Sequence, residues 1–115
     1  MGNGLRVVNL EEGKPFVDAA IRRLTYELAH SKKTGCAVPK IIHGYGSSGK
    51  GGKIRIAARR ELETLQKRGY VKAIIYGEKL SIFDEDTRRA LAHCGELRGD
   101  PDFERHNNGV TLIML

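Results

Sequence analysis

The chain has 115 residues, 40% hydrophobic and 30% charged, with 20 Lys and Arg against 14 Asp and Glu. That balance excludes a disordered chain, suits one domain over residues 1–115 with its own core, and leaves no apolar run near the roughly 18 residues of a membrane span. The net charge of +6 favours a polyanionic partner without specifying one.

The opening residues carry no signal-peptide pattern, and Arg6 stands where a myristoylation motif needs Ser or Thr. Leu5–Leu10 is a short β-rich run and predicts the first strand. Pro15 and Asp18 suit a helix start, and Val17, Ala20, Ile21, Leu24 and Leu28 place one apolar face on a helix ending before Gly35. Cys36–Ile42 predicts the second strand. Pro39 lacks a ladder donor, so this strand lies at a sheet edge or its regular pairing begins after Pro39. Cys36 and Cys94 lack zinc-site spacing and are expected as reduced thiols of a cytoplasmic protein.

A glycine-rich loop segment, His43–Arg55, follows, and a second helix is predicted to start near its end, at Gly52 or Lys53, with Ile54, Ala58, Leu62 and Leu65 facing inward. Gly69 stops it, and Tyr70–Tyr76 predicts a third strand. Ser81 or Asp84 caps a third, shorter helix with Thr87, Leu91 and Cys94 inward; residues 95–108 read as loop. Gly109–Leu115 is continuously apolar and predicts a strand buried on both faces. The order β-α-β-α-β-(α)-β predicts an α/β two-layer sandwich on a four-stranded mixed sheet.

The chemistry concentrates in the loop. A strand, a flexible loop and a helix start form an anion site, because free N–H groups converge there and the helix dipole favours negative charge. Gly44–Lys50 fits the first seven positions of a nucleotide-binding P-loop, but Gly51 replaces the hydroxyl residue that holds magnesium. Lys50, Lys53 and Arg55 stand at the helix start, where the dipole disfavours cations. A bound polyanion relieves that conflict; solvation of the lysines on a flexible turn is the other reading. Gly44, Tyr45, Gly46, Ser47, Ser48, Lys50, Lys53 and Arg55 are the candidate phosphate-binding residues. Tyr45 either stacks on a base or packs on its own loop. His43 is either a general acid or base, or a histidine bonded to backbone to shape the loop. The other histidines lack catalytic context. The basic pairs, Arg59-Arg60 among them, read mainly as solvated helix faces.

Three segments resemble the small MutS-related (Smr) domain. Ile41-Ile42-His43-Gly44-Tyr45-Gly46, with Ile54-Arg55 following, is similar to that family's I-I-H-G-x-G…L-R segment. Asn108–Leu115 is similar to its closing G-x-T-x-V-x-L strand, and Gly13 with Asp18-Ala19 to part of its opening segment. The resemblance implies a fold like the C-terminal half of bacterial translation initiation factor three. It also implies nucleic-acid binding and, in many members, endonuclease cleavage of DNA or RNA, with roles in repair or recombination or at stalled ribosomes. The family's L-D-L-H-G motif is altered: Glu12 stands at the histidine position, beside Glu11, and residues 77–106 replace a usually short connection.

The expectation is a nucleic-acid-binding domain, for DNA or RNA, without cleavage. The alternatives are an endonuclease using His43 with Glu11 or Glu12, and a protein- or ribosome-docking module. Only cleavage would call for a metal, magnesium or manganese, and no metal ligands are assigned.

Overall fold

The computed structural model describes residues 5–36, 38–45 and 51–115. Four strands, β1 (Leu5–Asn9), β2 (Val38–Ile42), β3 (Ala73–Tyr76) and β4 (Val110–Met114), form one sheet in the order β1-β2-β4-β3. β1 and β2 pair in parallel; β4 runs antiparallel to β2 and β3. With the helices α1 (Val17–Thr34), α2 (Gly51–Lys67) and α3 (Glu85–His93), this is the expected two-layer α/β sandwich on a mixed sheet. None of the helices among the described residues is long and apolar enough to cross a membrane.

α1 and α2 form the helical layer. Ala20, Leu24 and Leu28 of α1 meet Ile54, Ala58 and Leu62 of α2 over Val8, Ile41 and Ile113 of the sheet. These are the inward positions that the helical spacing selects, and full burial of each large aliphatic side chain contributes about 1.5–3 kcal/mol. Arg6 projects from β1 to the same side and donates to Glu27 of α1 at 2.7 Å.

Pro39 does not mark an edge. β2 is an interior strand, and Pro39 lies opposite Arg6 of β1 while pairing with β4 begins at Lys40. The delayed ladder accommodates the missing donor. β4 is buried at every position, as a strand with cores on both faces must be.

Residues 77–109 cover the other face of the sheet. Leu80, Ala90, Cys94 and Leu97 pack on Val38, Ala73, Ile75, Val110, Leu112 and Met114. Two helices would leave this face bare; α3 and the turns around it close it. Asp84 rather than Ser81 caps α3: its carboxylate accepts from the Thr87 N–H at 2.9 Å and the Thr87 hydroxyl at 3.0 Å. Within the stretch read as loop, Gly95–Gly99 forms a 3₁₀ turn, which seats the fully buried Leu97 in the core.

One charged side chain enters this face. Strand alternation turns Lys40 toward the same side as Val38 and Ile42. Its ammonium sits 2.7 Å from Asp100 and 2.5 Å from Asp102, with the Lys40 side chain 4% exposed. Burial pushes the Asp102 carboxyl up, but hydrogen bonds from Asn107 and Lys40 outweigh it and hold the pKa below the usual value. Removing one partner of a buried pair leaves uncompensated charge, which costs about 3–5 kcal/mol. Lys40→Met is therefore expected to lower the unfolding free energy by roughly that amount in urea titrations at pH 7.

Candidate functional site

The site begins where β2 ends. The backbone N–H groups of His43 and Gly44 both donate to the Gly109 carbonyl, each at 3.0 Å. Aiming successive amides at one oxygen ends the regular ladder and turns the chain at Gly44, whose φ is +74°. A side chain there would be strained, and a Cβ would collide with the Glu11 carboxylate.

His43 is completely buried. Its Nδ1 lies 2.8 Å from the Gly44 carbonyl and its Nε2 2.8 Å from the Thr111 hydroxyl. A carbonyl only accepts, so Nδ1 carries the proton and Nε2 accepts from Thr111. The same hydroxyl oxygen accepts from Arg59 Nε at 3.0 Å. A directed chain of hydrogen bonds thus runs from Arg59 through Thr111 and His43 to Gly44. Burial pulls the His43 pKa from 6.5 down to about 4; the hydrogen bond to Gly44 pushes the other way, and the charges of Arg59 and Arg55 add to the lowering. At neutral pH the ring is uncharged and both nitrogens are engaged.

Arg59 holds α2 to β4. It makes a two-pronged pair with Glu78, at 2.8 and 2.7 Å, and donates to the carbonyls of Asn108 and Val110 at 3.3 and 3.2 Å. Its guanidinium carbon also stands 4.2 Å from the centre of the Tyr76 ring. Hydrogen bonding by Arg59 holds the Glu78 pKa below the usual carboxylate range despite partial burial. Burial, reinforced by the hydrogen bond to Glu63, raises Tyr76 to about 12.

The predicted site residues separate into groups. Glu11 comes to the start of the loop, its carboxylate lying against Gly44. Glu12 points elsewhere and meets Arg23 of α1 at 3.3 Å. Tyr45 is 59% exposed, and its ring edge is so close to Gly109 that a Cβ there would be 2.9 Å from it. Lys53 is exposed in the first turn of α2 and has no hydrogen bond or ion pair among the described residues. Arg55 donates to the Asn108 carbonyl at 3.1 Å and lies 3.6 Å from Glu78, so it braces the site more than it reaches outward. Gly46, Ser47, Ser48 and Lys50 lie outside the described residues.

The pattern reading missed Arg59, Thr111 and Glu78. The solvated-pair reading of Arg59-Arg60 fails for Arg59, which follows Ala58 of the buried face and is one helical turn from Arg55, so it borders the core. Thr111 is the polar residue in the otherwise apolar β4, which is the signal that points to it. Glu78 carries none, because its role arises only where residue 78 passes α2.

Among the described residues no group of three or more His, Cys, Asp or Glu converges as a metal site. Cys36 and Cys94 are both buried, and no disulfide joins them. Comparison with protein-family models, curated proteins and solved structures finds no match.

The lowered His43 pKa makes the folded chain resist protonation that the unfolded chain accepts. Stability conferred by the neutral ring is therefore complete above pH 6.5 and is lost as pH falls toward about 4. Lowered carboxylates act in a lower range: Glu78 and Asp102 contribute losses only below their ordinary values of 4.5 and 3.8. Chemical denaturation between pH 6.5 and 4.5 is expected to show a decline on the order of 2 kcal/mol. In His43→Gln, less stable at neutral pH, that decline should be largely absent; an unchanged slope would place it on another group.

Proposed function

We propose that this chain is a nucleic-acid-binding domain of the Smr type, holding the phosphate backbone of DNA or RNA at the loop between β2 and α2. Its setting would be DNA repair or recombination, or RNA and ribosome quality control, in the cytoplasm. The observation that carries the reading is the start of α2. α1 and α3 each place acid in their first turn, Asp18 in one and Glu85 with Asp86 in the other. α2 places none there and presents Lys53 instead. A cation at the positive end of a helix dipole costs tenths of a kcal/mol, and a bound phosphate reverses that sign.

Tyr45 adds a second element beside it. An aromatic ring seated on glycine and exposed on its outer side is a stacking platform for an unpaired base. The two-layer fold with its mixed sheet also agrees with what the resemblance implies. In this reading His43, neutral and hydrogen-bonded at both nitrogens, shapes the loop by orienting Gly44.

Cleavage is the second reading, and Glu11 is the observation that favours it. Its carboxylate lies at the loop start, where an acidic group can serve as a base or as one ligand of a magnesium or manganese ion. Glu12, turned to Arg23, is poorly placed to share that work.

Fluorescence anisotropy with labelled single-stranded RNA, single-stranded DNA and duplex DNA tests the first reading. Binding should weaken linearly in log–log form as salt rises. Lys53→Glu should weaken every substrate about tenfold, and Tyr45→Ala should weaken single strands selectively, by about 1–3 kcal/mol. Absence of binding at low salt rejects the proposal. Incubating plasmid and RNA with the protein and magnesium or manganese tests the second reading; nicking that disappears in Glu11→Gln would establish it.

A further inference from the structure

The segment from 77 to 109 does more than close the second face of the sheet. Its outer side carries a groove of about 560 Å³ lined by Ile82, Arg88, Leu91, Ala92 and Arg98. Arg88, Leu91 and Ala92 are one helical turn apart and share a face of α3. Ile82 comes from the turn before α3 and Arg98 from the 3₁₀ turn after it. None of the described residues of the β2–α2 loop lines the groove.

The floor is aliphatic and the remaining lining side chains are arginines. Ile82 is 42% exposed, and its neighbour Phe83 is 87% exposed. The turn that carries them is pinned: the Phe83 N–H donates to the Ser81 hydroxyl at 3.2 Å, the Asp84 N–H to the Ser81 carbonyl at 3.1 Å, and Arg88 to the Ile82 carbonyl at 2.7 Å. Neither Arg88 nor Arg98 has a carboxylate within ion-pair distance among the described residues. Of the acids beside them, Asp84 caps α3 and Asp86 pairs with Arg89 at 2.9 Å, while Glu85 and Glu96 are exposed and form no ion pair with either arginine among the described residues.

We infer that this groove is a docking site for a partner protein, taking an acidic amphipathic helix whose apolar side chains meet Ile82, Leu91 and Ala92 and whose carboxylates meet Arg88 and Arg98. The choice of occupant rests on charge and on chemistry. Two arginines lacking counter-charges select an acidic ligand. The aliphatic floor selects apolar side chains, which a phosphate backbone does not offer. No strand lines the groove, so no backbone ladder is on offer and recognition runs through side chains, as in helix-in-groove binding. A basic chain of net charge +6 is a poor source of such a helix for a second copy of itself.

The probe is a synthetic helical peptide of about 14 residues, with leucines at positions i, i+3, i+4 and i+7 and glutamates elsewhere. Its lysine-for-glutamate counterpart and a single-stranded RNA oligonucleotide are the controls. Each is titrated into the isotope-labelled 115-residue chain and followed by amide chemical shifts. The acidic peptide should shift Ile82, Phe83, Arg88, Leu91, Ala92 and Arg98 as a group, and the lysine peptide should not. Arg98→Glu and Ala92→Glu change exposed side chains, so both should keep the fold. Each should weaken the acidic peptide by about tenfold or more while leaving RNA binding unchanged. The proposal is overturned if the acidic peptide leaves these residues unmoved, if both peptides shift them equally, if RNA shifts them, or if they shift with protein concentration alone.

Discussion

The structure depends on the burial of one guanidinium. Taking Arg59 out of water costs several kcal/mol, and the cost is offset only because its donors find acceptors: Glu78 at two points, the Thr111 hydroxyl, and the carbonyls of Asn108 and Val110. Those acceptors belong to β4, to the turn before it and to residue 78 after β3. A single side chain of α2 therefore fixes the helix against segments far apart in sequence. The loop between β2 and α2 inherits the result, since one end is the α2 N-terminus and the other is tied to β4 through His43 and Gly109.

A second line of polar contacts reaches Gly109 from the opposite face of the sheet. Lys40 holds Asp102, Asp102 accepts from Asn107 at 2.8 Å, and Asn107 accepts from the Gly109 N–H at 2.8 Å. Gly109 then receives the amides of His43 and Gly44. Residues 100–109 are thus part of how the loop is set. The Lys40 cluster adds specificity to this arrangement, because a slip of β2 by one residue would turn Lys40 into the apolar layer beneath α1 and α2.

His43 illustrates how a chemically suggestive residue is absorbed into scaffold. A histidine poised for proton transfer needs a free nitrogen near the substrate and a pKa near the working pH. Here burial favours the neutral ring, and both nitrogens are engaged by Gly44 and Thr111. Its effect on bound phosphate would pass through the backbone of Gly44. Under the proposed function, the exposed groups nearby, Tyr45 and Lys53, would grip the strand, and the Glu11 carboxylate against Gly44 would be the acid of the cleavage reading.

Much of the fold was legible in the chain because hydrophobic periodicity is local. The inner faces of α1 and α2, the doubly buried β4 and the two-layer mixed sheet follow from spacings of three to four residues or from continuous apolar runs. The turn out of β2 was legible too, since the apolar run gives way at Gly44, whose φ is +74°. Pro39 narrowed the strand to two placements, and the neighbour relations of the sheet chose the interior one. What the sequence could not express was partnership across distance. Arg59 and Glu78 are ordinary surface residue types until the crossover of α2 brings them together, and Lys40 is an unremarkable strand lysine until Asp100 and Asp102 fold over it. Glu11 and Glu12 are adjacent in sequence, and only the packing of β1 against α1 and β2 sends Glu12 to Arg23 and Glu11 to Gly44. Patterns along a chain report which side of an element is buried. Which charges meet inside is decided by tertiary contact, where desolvation must be repaid by a specific partner.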